Sequence, residues 1–326
     1  MPLQWNDKVF GIKEESIEPL ALEIFRFQAE NNPVYRDFLQ ALKVDPSGID
    51  DITRIPFLPV RFFKSHQIKT TLFEPQAVFE SSGTTGSINS KHYVKDLSLY
   101  EESFVKGFEE FYGPINKYCI IGLLPSYVER QNSSLVYMVD KLVQLSEHPQ
   151  SGFYLNEYEQ LAAVLQELDK RKQPTFLVGV TFALLDFAEK FSFPLQHTIV
   201  METGGMKGRR KEMIRPEVHD ILKKAFQLSS VHSEYGMTEL LSQAYSKGEG
   251  IFNCPPWMKI LMRDEEDPFT VNRSGSGTIN IIDLANIYSC SFIATDDVGR
   301  LNADGSFEVL GRVDGSDLRG CSLMVV

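Results

Sequence analysis

The feature that most restricts the fold is an alternation of short apolar runs and amphipathic helical patterns between about residues 118 and 235. The apolar runs with the length and composition of buried strands are Tyr118 to Leu124, Thr175 to Gly179 and His197 to Glu202. Asn156 and Glu159 form an N-terminal capping box, which predicts a helix through about Lys170. Strands joined by helices pair in parallel, so we expect an α/β fold with a mostly parallel βαβ sheet.

The regions on either side of this core have other patterns. Residues 16–43 predict helices interrupted at Asn32-Pro33, because proline lacks an amide donor and restricts the residue before it. Another helix is expected to begin after Asp96 as its N-cap and to end at Gly113. One face of that helix is aromatic and is assigned to the core.

Towards the C-terminus, glycine and asparagine residues separate short β-prone runs such as Thr278 to Ile282 and Phe307 to Leu310, a pattern typical of a compact β subdomain. The expected boundaries are about 1–250 for the α/β part, about 251–311 for the β subdomain and 312–326 for a hinge stub and C-terminal tail.

Charge and cysteine content exclude several classes of protein. The formal net charge is -11, and phosphate backbones are bound by clustered Lys and Arg, so no nucleic-acid partner is expected. The cysteines are widely spaced, without a C-x-x-C pair or a zinc-ligand pattern. With no secretory signal and no apolar run of about 20 residues, we expect a cytoplasmic protein without a membrane span.

A glycine-rich segment follows the apolar run Ala77 to Phe79. Its residues are Ser81, Ser82, Gly83, Thr84, Thr85 and Gly86. Glycines let a backbone approach phosphate oxygens closely and expose amide donors, and the hydroxyl groups add neutral hydrogen bonds to a polyanion. No Gly-Lys-Ser/Thr follows, so this is not a Walker loop. By composition alone the segment is either a phosphate-binding loop or an ordinary surface turn.

Further segments occur later in the chain, in a fixed order. They are Met201-Glu202-Thr203-Gly204-Gly205, Glu234-Tyr235-Gly236-Met237-Thr238-Glu239, Thr295-Asp296-Asp297-Val298-Gly299-Arg300 and Gly311-Arg312-Val313-Asp314. Together with the glycine-rich segment, they resemble the signatures of the adenylate-forming superfamily of acyl-CoA synthetases, luciferases and peptide-synthetase adenylation domains. The resemblance implies the fold of the large N-terminal domain of those enzymes, with ATP and Mg²⁺ as cofactors.

The resemblance also implies roles for individual residues. Ser81 to Gly86 would hold the β- and γ-phosphates of ATP, Thr238 would contact the α-phosphate and Glu239 would hold magnesium. Tyr235 would stack on adenine next to Gly236 and Met237, and Gly204 and Gly205 would form the wall beside adenine and the acyl carbonyl. Asp297 and Arg312 would bind the ribose. Taken singly, Glu239 is equally a helix N-terminal acid, Asp297 a turn residue and the paired glycines a strand-ending turn.

Two further residues are candidates with open alternatives. The superfamily usually continues Gly-x-Pro-Lys after the loop, whereas here the lysine is displaced to Lys91, which reaches either the nucleotide or only solvent. His232, just before the Tyr-Gly-Met-Thr-Glu segment, is a candidate contact for the substrate carboxylate.

Typical superfamily members continue past the hinge into a small C-terminal domain with a catalytic lysine, and we expect this domain to be missing here. Residues 124–135 and 204–212 resemble the LuxE acyl-protein synthetases, the ATP-using component of the bacterial fatty-acid reductase complex. That resemblance implies activation of a carboxylic, fatty acid to acyl-AMP and transfer to a protein thiol. The implied partners are the acid and an acyl-accepting reductase or carrier protein.

Cys321 is the candidate acceptor thiol, since LuxE proteins carry such a cysteine near the C-terminus; a cysteine among apolar residues is also commonly a packed small hydrophobe. Other interpretations stay open: a minimal coenzyme A ligase, a non-catalytic adenylate-binding module, or a half-enzyme whose lysine comes from another subunit. The basic residues Lys207, Arg209, Arg210 and Lys211 are either an active-site wall or a solvated helix face. The acid's chain length and the oligomeric state are not specified by the sequence.

Overall fold

The computed structural model describes residues 5–12, 17–81, 88–125, 132–205, 213–264 and 266–313. The chain divides into two compact units. Unit one comprises residues 1–107, 237–244 and 253–316, and unit two comprises residues 108–236, 245–252 and 317–326. Each unit therefore contains stretches that are far apart in the sequence.

The helices are α1 (Trp5–Phe10), α2 (Ile17–Asn31), α3 (Pro33–Ala41), α4 (Phe62–Ser65), α5 (Leu97–Tyr112), α6 (Ser134–Ser146), α7 (Tyr158–Lys170), α8 (Thr181–Lys190) and α9 (Arg215–Phe226). The strands are β1 (Leu58–Pro59), β2 (Ala77–Glu80), β3 (Lys91–Val94), β4 (Cys119–Leu123), β5 (Gly152–Phe153), β6 (Thr175–Gly179), β7 (Thr198–Glu202), β8 (His232–Tyr235), β9 (Ala244–Ser246), β10 (Ile251–Phe252), β11 (Met258–Arg263), β12 (Val271–Asn272), β13 (Gly275–Asp283), β14 (Phe292–Leu301) and β15 (Phe307–Arg312). Short 3-10 helices lie at Pro46–Gly48, Ile52–Arg54, Ile115–Lys117 and Leu284–Asn286.

Unit two is built on a sheet with the strand order β5-β4-β6-β7-β8-β9, and the expected parallel α/β architecture is confirmed. β4 pairs in parallel with β6, which pairs in parallel with β7. Every residue of β4 and β6 is buried, as expected for strands covered on both faces. The pairing of β7 with β8 places Glu202 opposite Ser233, at the carboxyl end of β7.

The helix boundaries agree with the sequence patterns except at one N-cap. Asn32 separates α2 from α3 and accepts a hydrogen bond from the Tyr35 amide, and Asp96 accepts one from the Ser98 amide at the start of α5. The expected capping box at Asn156 is wrong. Glu157 is the N-cap of α7, and its carboxylate accepts hydrogen bonds from the amides just before the helix, so Asn156 is a donor there.

Unit one contains a larger antiparallel sheet in which β15, β14, β13, β11 and β12 follow one another, with β1 added in parallel to β14. Strands β11 to β15 lie in the C-terminal part of the chain, where glycine and asparagine separate the β-prone runs. β2 and β3 form a separate two-stranded hairpin. Aromatic rings from the N-terminal helices pack on the sheet, since Phe25 and Tyr35 both contact Phe292. Helices at the beginning of the chain thus share a core with strands near residue 290.

In the part of the chain that the structure describes, no helix is both long enough and apolar enough to cross a bilayer.

The close approach of β14 and β15 generates a first prediction. A Cβ atom at Gly299 would lie 2.5 Å from the backbone oxygen of Glu308 and 2.8 Å from Ile279 Cδ1. Because a strand backbone must move to relieve such overlap, Gly299→Ala is expected to lower the free energy of unfolding by about 2 kcal/mol, measured by urea denaturation. Gly48→Ala is the control, since nothing lies within 4 Å of its added Cβ. Equal stability of the two variants would contradict the prediction.

Candidate functional site

Residues Thr238 to Ser242 of unit one form a loop outside the helices and strands, and a buried aspartate holds its second half. Asp283 Oδ2 accepts hydrogen bonds from the Leu241 amide (2.8 Å) and the Ser242 amide (3.1 Å), and Oδ1 accepts one from the Ser242 hydroxyl (2.6 Å). Burial raises the pKa of Asp283, although these hydrogen bonds oppose the rise. Asp283 therefore replaces the backbone partners that a regular element would supply.

Two more buried side chains hold the first half of the loop. Asn286 Nδ2 donates to the Glu239 carbonyl at 2.7 Å, and Asn286 Oδ1 lies 2.9 Å from His92 Nε2. His92 Nδ1 lies 2.8 Å from the Thr238 carbonyl. Both ring nitrogens therefore lie within hydrogen-bonding distance of an oxygen, so one ring contacts both the loop and Asn286. Burial lowers the pKa of His92, opposed by the Thr238 carbonyl, the Glu239 charge and the Asn286 amide oxygen.

Glu239 itself is fully buried, and the neighbouring Thr238 is partly exposed. The side chains of these two residues are the candidate metal ligand and the candidate α-phosphate contact. Among the described residues, no group of three or more His, Cys, Asp or Glu side chains is arranged to hold a metal ion.

The candidate ribose ligands Asp297 and Arg312 contact each other. They are directly opposite in the antiparallel pairing of β14 with β15, and Arg312 Nε donates to Asp297 Oδ1 at 2.7 Å. The Asp297 amide donates to the Thr295 hydroxyl at 3.1 Å. Asp297 is buried and the Arg312 side chain is 15% exposed, so the carboxylate is held in one orientation by a charged partner.

The hairpin of β2 and β3 lies at the base of the glycine-rich segment. Ser81 and Ser90 close the hairpin, because the Ser81 amide donates to the Ser90 carbonyl (3.0 Å) and the Ser90 amide donates to the Ser81 hydroxyl (2.9 Å). Lys91 Nζ lies 3.4 Å from Glu80 Oε1, and the lysine side chain is 49% exposed. The remaining residues of the segment, Ser82 to Gly86, lie outside the described residues.

In unit two, a buried carboxylate organises the paired glycines. Glu202 Oε2 accepts hydrogen bonds from the Gly204 amide (2.8 Å) and the Thr181 hydroxyl (3.1 Å), and Oε1 accepts one from Arg215 Nε (3.0 Å). Gly204 and Gly205 have φ values of 75° and 93°, a region that favours glycine. Burial alone would raise the pKa of Glu202, but His219, Arg215 and the Gly204 amide hold it well below its usual range.

The strand that leads to Tyr235 begins with His232. Its Nδ1 lies 3.1 Å from the Tyr112 hydroxyl. Burial, and next the charges of Lys247 and His219, lower the pKa of His232 to about 4. His232 is therefore neutral at pH 7. Tyr235 is buried, and its ring lies 6.0 Å from that of Phe252.

The cysteines of the described residues differ in environment. Burial raises the pKa of Cys119 to about 11 and the pKa of Cys290 to about 12, whereas Cys254 is partly exposed. Cys321 and the basic residues Lys207, Arg209, Arg210 and Lys211 lie outside the described residues.

The residues that hold the candidate site together carry little signal in the sequence. His92 and Asp283 had one local signal each: a histidine directly after the candidate Lys91, and an aspartate at the end of an apolar strand. Neither signal indicates the partner, because His92 and Thr238 are 146 residues apart and Asp283 and Leu241 are 42 residues apart.

A family model described as acyl-protein synthetase, LuxE, matches residues 2–326. This chain belongs to the LuxE family. It is similar to a long-chain-fatty-acid–luciferin-component ligase of Vibrio harveyi, with 22% identity over 99% of this chain and 89% of that protein. The resemblance read from the sequence motifs is thereby confirmed.

Solved structures of adenylate-forming ligases share the fold. A 2-hydroxyisobutyryl-CoA ligase in the postadenylation state matches with a TM-score of 0.66 and 12% identity, over 92% of this chain and 68% of that one. ATP-bound MatB of Rhodopseudomonas palustris matches with a TM-score of 0.54 and 17% identity, over 72% of this chain. The match spans 48% of the length of MatB, so this likeness concerns the large domain.

The crowding of two carboxylates in unit two generates a prediction on pH. Burial, and next the charge of Glu202, raise the pKa of Glu234 from 4.5 to about 8. Between these values the folded protein keeps a proton that the unfolded chain has released, so stability falls as the pH rises from about 4.5 to 8. Glu234→Gln is expected to flatten this part of the curve of melting temperature against pH and to be more stable than the wild type at pH 8.

Glu159→Gln, an exposed glutamate of the same unit, is the matched control and is expected to follow the wild-type curve. A Glu234→Gln curve parallel to that of the wild type would show that Glu234 titrates normally.

Proposed function

We propose that this protein activates a fatty acid with Mg-ATP to an acyl-adenylate and passes the acyl group to a cysteine thiol, with Cys321 as the acceptor. The observation that carries the proposal is the Thr238–Glu239 pair: a fully buried carboxylate and its neighbour, whose carbonyls are bound by the two buried side chains His92 and Asn286 in a chain of the LuxE family. The Vibrio harveyi relative supports a fatty acid as the substrate class by its name.

The residues present fit ATP and magnesium. Magnesium in nucleotide sites is usually bound by one or two carboxylates together with substrate phosphates, and Glu239 offers one carboxylate. Asp297 offers a carboxylate held by Arg312, which suits the two hydroxyls of a ribose.

In the first reaction, a carboxylate oxygen of the acid attacks the α-phosphorus of ATP. A new P–O bond forms, the bond to the bridging oxygen of pyrophosphate breaks, and pyrophosphate leaves with both electrons of that bond. The metal supplies charge neutralisation on the phosphates. In this proposal Thr238 positions the α-phosphate, the residues Ser81 to Gly86 hold the β- and γ-phosphates, and Lys91 lies at the base of the same segment.

In the second reaction, the Cys321 thiolate attacks the acyl carbonyl. The C–S bond forms, the C–O bond to AMP breaks, AMP leaves, and the thiol proton is released to solvent. The thiolate is the reactive form of a cysteine. An acyl-accepting reductase or carrier protein would then receive the acyl group from this thioester.

Replacement of Glu239 tests the first reaction. Glu239→Gln keeps the shape of the side chain and removes the charge, so ATP–pyrophosphate exchange with a long-chain fatty acid is expected to fall about 100-fold, as for the loss of about 3 kcal/mol of metal-assisted charge stabilisation. Glu266→Gln makes the same change at an exposed position and is expected to keep full exchange. Equal exchange rates in both variants would exclude the metal role of Glu239, and no exchange by the wild type would exclude the proposed function.

Replacement of Cys321 tests the second reaction. With radiolabelled fatty acid and ATP, the wild type is expected to acquire label that neutral hydroxylamine removes, as expected for a thioester. Cys321→Ser is expected to lose this label and to keep pyrophosphate exchange, because the adenylation step does not use the thiol. Cys254→Ser, at the partly exposed cysteine, is the matched control and should label fully. A Cys321→Ser protein that labels normally would assign the acceptor role to another group.

A further inference from the structure

His92 contacts the loop that carries Thr238 and Glu239, the residues proposed to bind the α-phosphate and the metal. It belongs to β3, which follows the glycine-rich segment, and it is opposite Phe79 in the hairpin. Its ring is completely buried, with the Phe63 ring edge-on at a centroid distance of 5.9 Å. The hairpin and this packing therefore help to fix the position of the ring.

The loop depends on such external supports. Its backbone groups are bound by side chains from other segments: the Thr238 carbonyl by His92, the Glu239 carbonyl by Asn286, and the later amides by Asp283. His92 also contacts Asn286, and Asn286 in turn donates to the Glu239 carbonyl, so His92 supports that carbonyl indirectly. Since Thr238 and Glu239 are adjacent, one ring controls the backbone at both positions.

A histidine suits this position because its two ring nitrogens point in different directions. Nδ1 lies against a backbone carbonyl and Nε2 against an amide oxygen, at 2.8 and 2.9 Å. Each hydrogen bond of this kind contributes about 1 kcal/mol, but a buried carbonyl that loses its partner costs more. Without these contacts, the carbonyls of the loop would turn towards other donors and move the side chains that follow them.

We propose that His92 is a positioning residue for Mg-ATP: by holding the Thr238 carbonyl directly and the Glu239 carbonyl through Asn286, it sets the orientation of the two side chains that meet the α-phosphate and the metal. This inference rests on the proposed function. His92 itself touches neither the nucleotide nor the acid in this proposal.

Three substitutions separate its two contacts. His92→Asn retains a side-chain amide donor near the position of Nδ1, and His92→Gln retains one near the position of Nε2, whereas His92→Leu retains neither. Mg-ATP affinity, measured by calorimetry, is expected to fall about fivefold in each amide variant and about 25-fold or more in His92→Leu, as for the loss of one or two hydrogen bonds. The KM for ATP in pyrophosphate exchange should rise in the same order, and the KM for the fatty acid should stay unchanged.

The unequal response of the two substrates distinguishes positioning from a general loss of stability, which would reduce the active fraction without changing either KM. His66→Leu, at an exposed histidine of the same unit, is the control and should bind Mg-ATP as the wild type does. If His92→Leu does not fold, the two amide variants carry the test. Amide variants with wild-type affinity would overturn the inference and leave the proposed function intact; a wild-type protein that binds no Mg-ATP would overturn both.

Discussion

The arrangement of unit one depends on side chains that replace missing backbone partners. A loop buried in a protein must satisfy its amides and carbonyls, and between Thr238 and Ser242 no strand or helix does so. Asp283, Asn286 and His92 take that task. Such polar networks are favourable only when their members are satisfied, so these contacts favour the conformation in which the loop backbone meets all three side chains. A buried glutamate can then be presented at a set angle by a segment that has no secondary structure.

In unit two, a charged side chain, Glu202, accepts a hydrogen bond from the backbone in a similar way. Glu202, at the end of β7, is stabilised by Arg215, by His219 and by the Gly204 amide, so an ionised carboxylate is retained inside the protein. Its charge then acts on Glu234, which keeps its proton to a higher pH. Glu202 and Glu234 thus have different protonation states. Of the two, Glu202 accepts the hydrogen bond from the Gly204 amide.

Much of the fold was predictable from local patterns, because strand length, helical periodicity and proline positions act over a few residues. The strand Thr175 to Gly179 and the break at Asn32-Pro33 were predicted at the observed positions. The N-cap of α7 was not, since the Glu157 carboxylate accepts from the amides of Leu155 and of Asn156 itself, and the helix begins one residue later than expected. Such a choice is decided by geometry that composition does not contain.

The candidate site residues were predictable from sequence motifs, whereas the side chains that hydrogen-bond to them were not. Residues such as Tyr235, Glu239 and Asp297 were found by resemblance, and their proposed roles stay predictions. The pairing of Asp297 with Arg312 required the register of β14 and β15, and the contact of His92 with Thr238 required the fold of unit one. Long-range hydrogen bonds leave no periodic trace in a sequence.

The burial of two thiols has a chemical consequence for a protein that is proposed to handle activated acyl groups. Cys119 and Cys290 have pKa values of about 11 and 12, so at neutral pH they are almost entirely in the unreactive, protonated form. A mixed anhydride released nearby would meet no nucleophile at either position. Burial would therefore protect both thiols from acylation by the proposed intermediate.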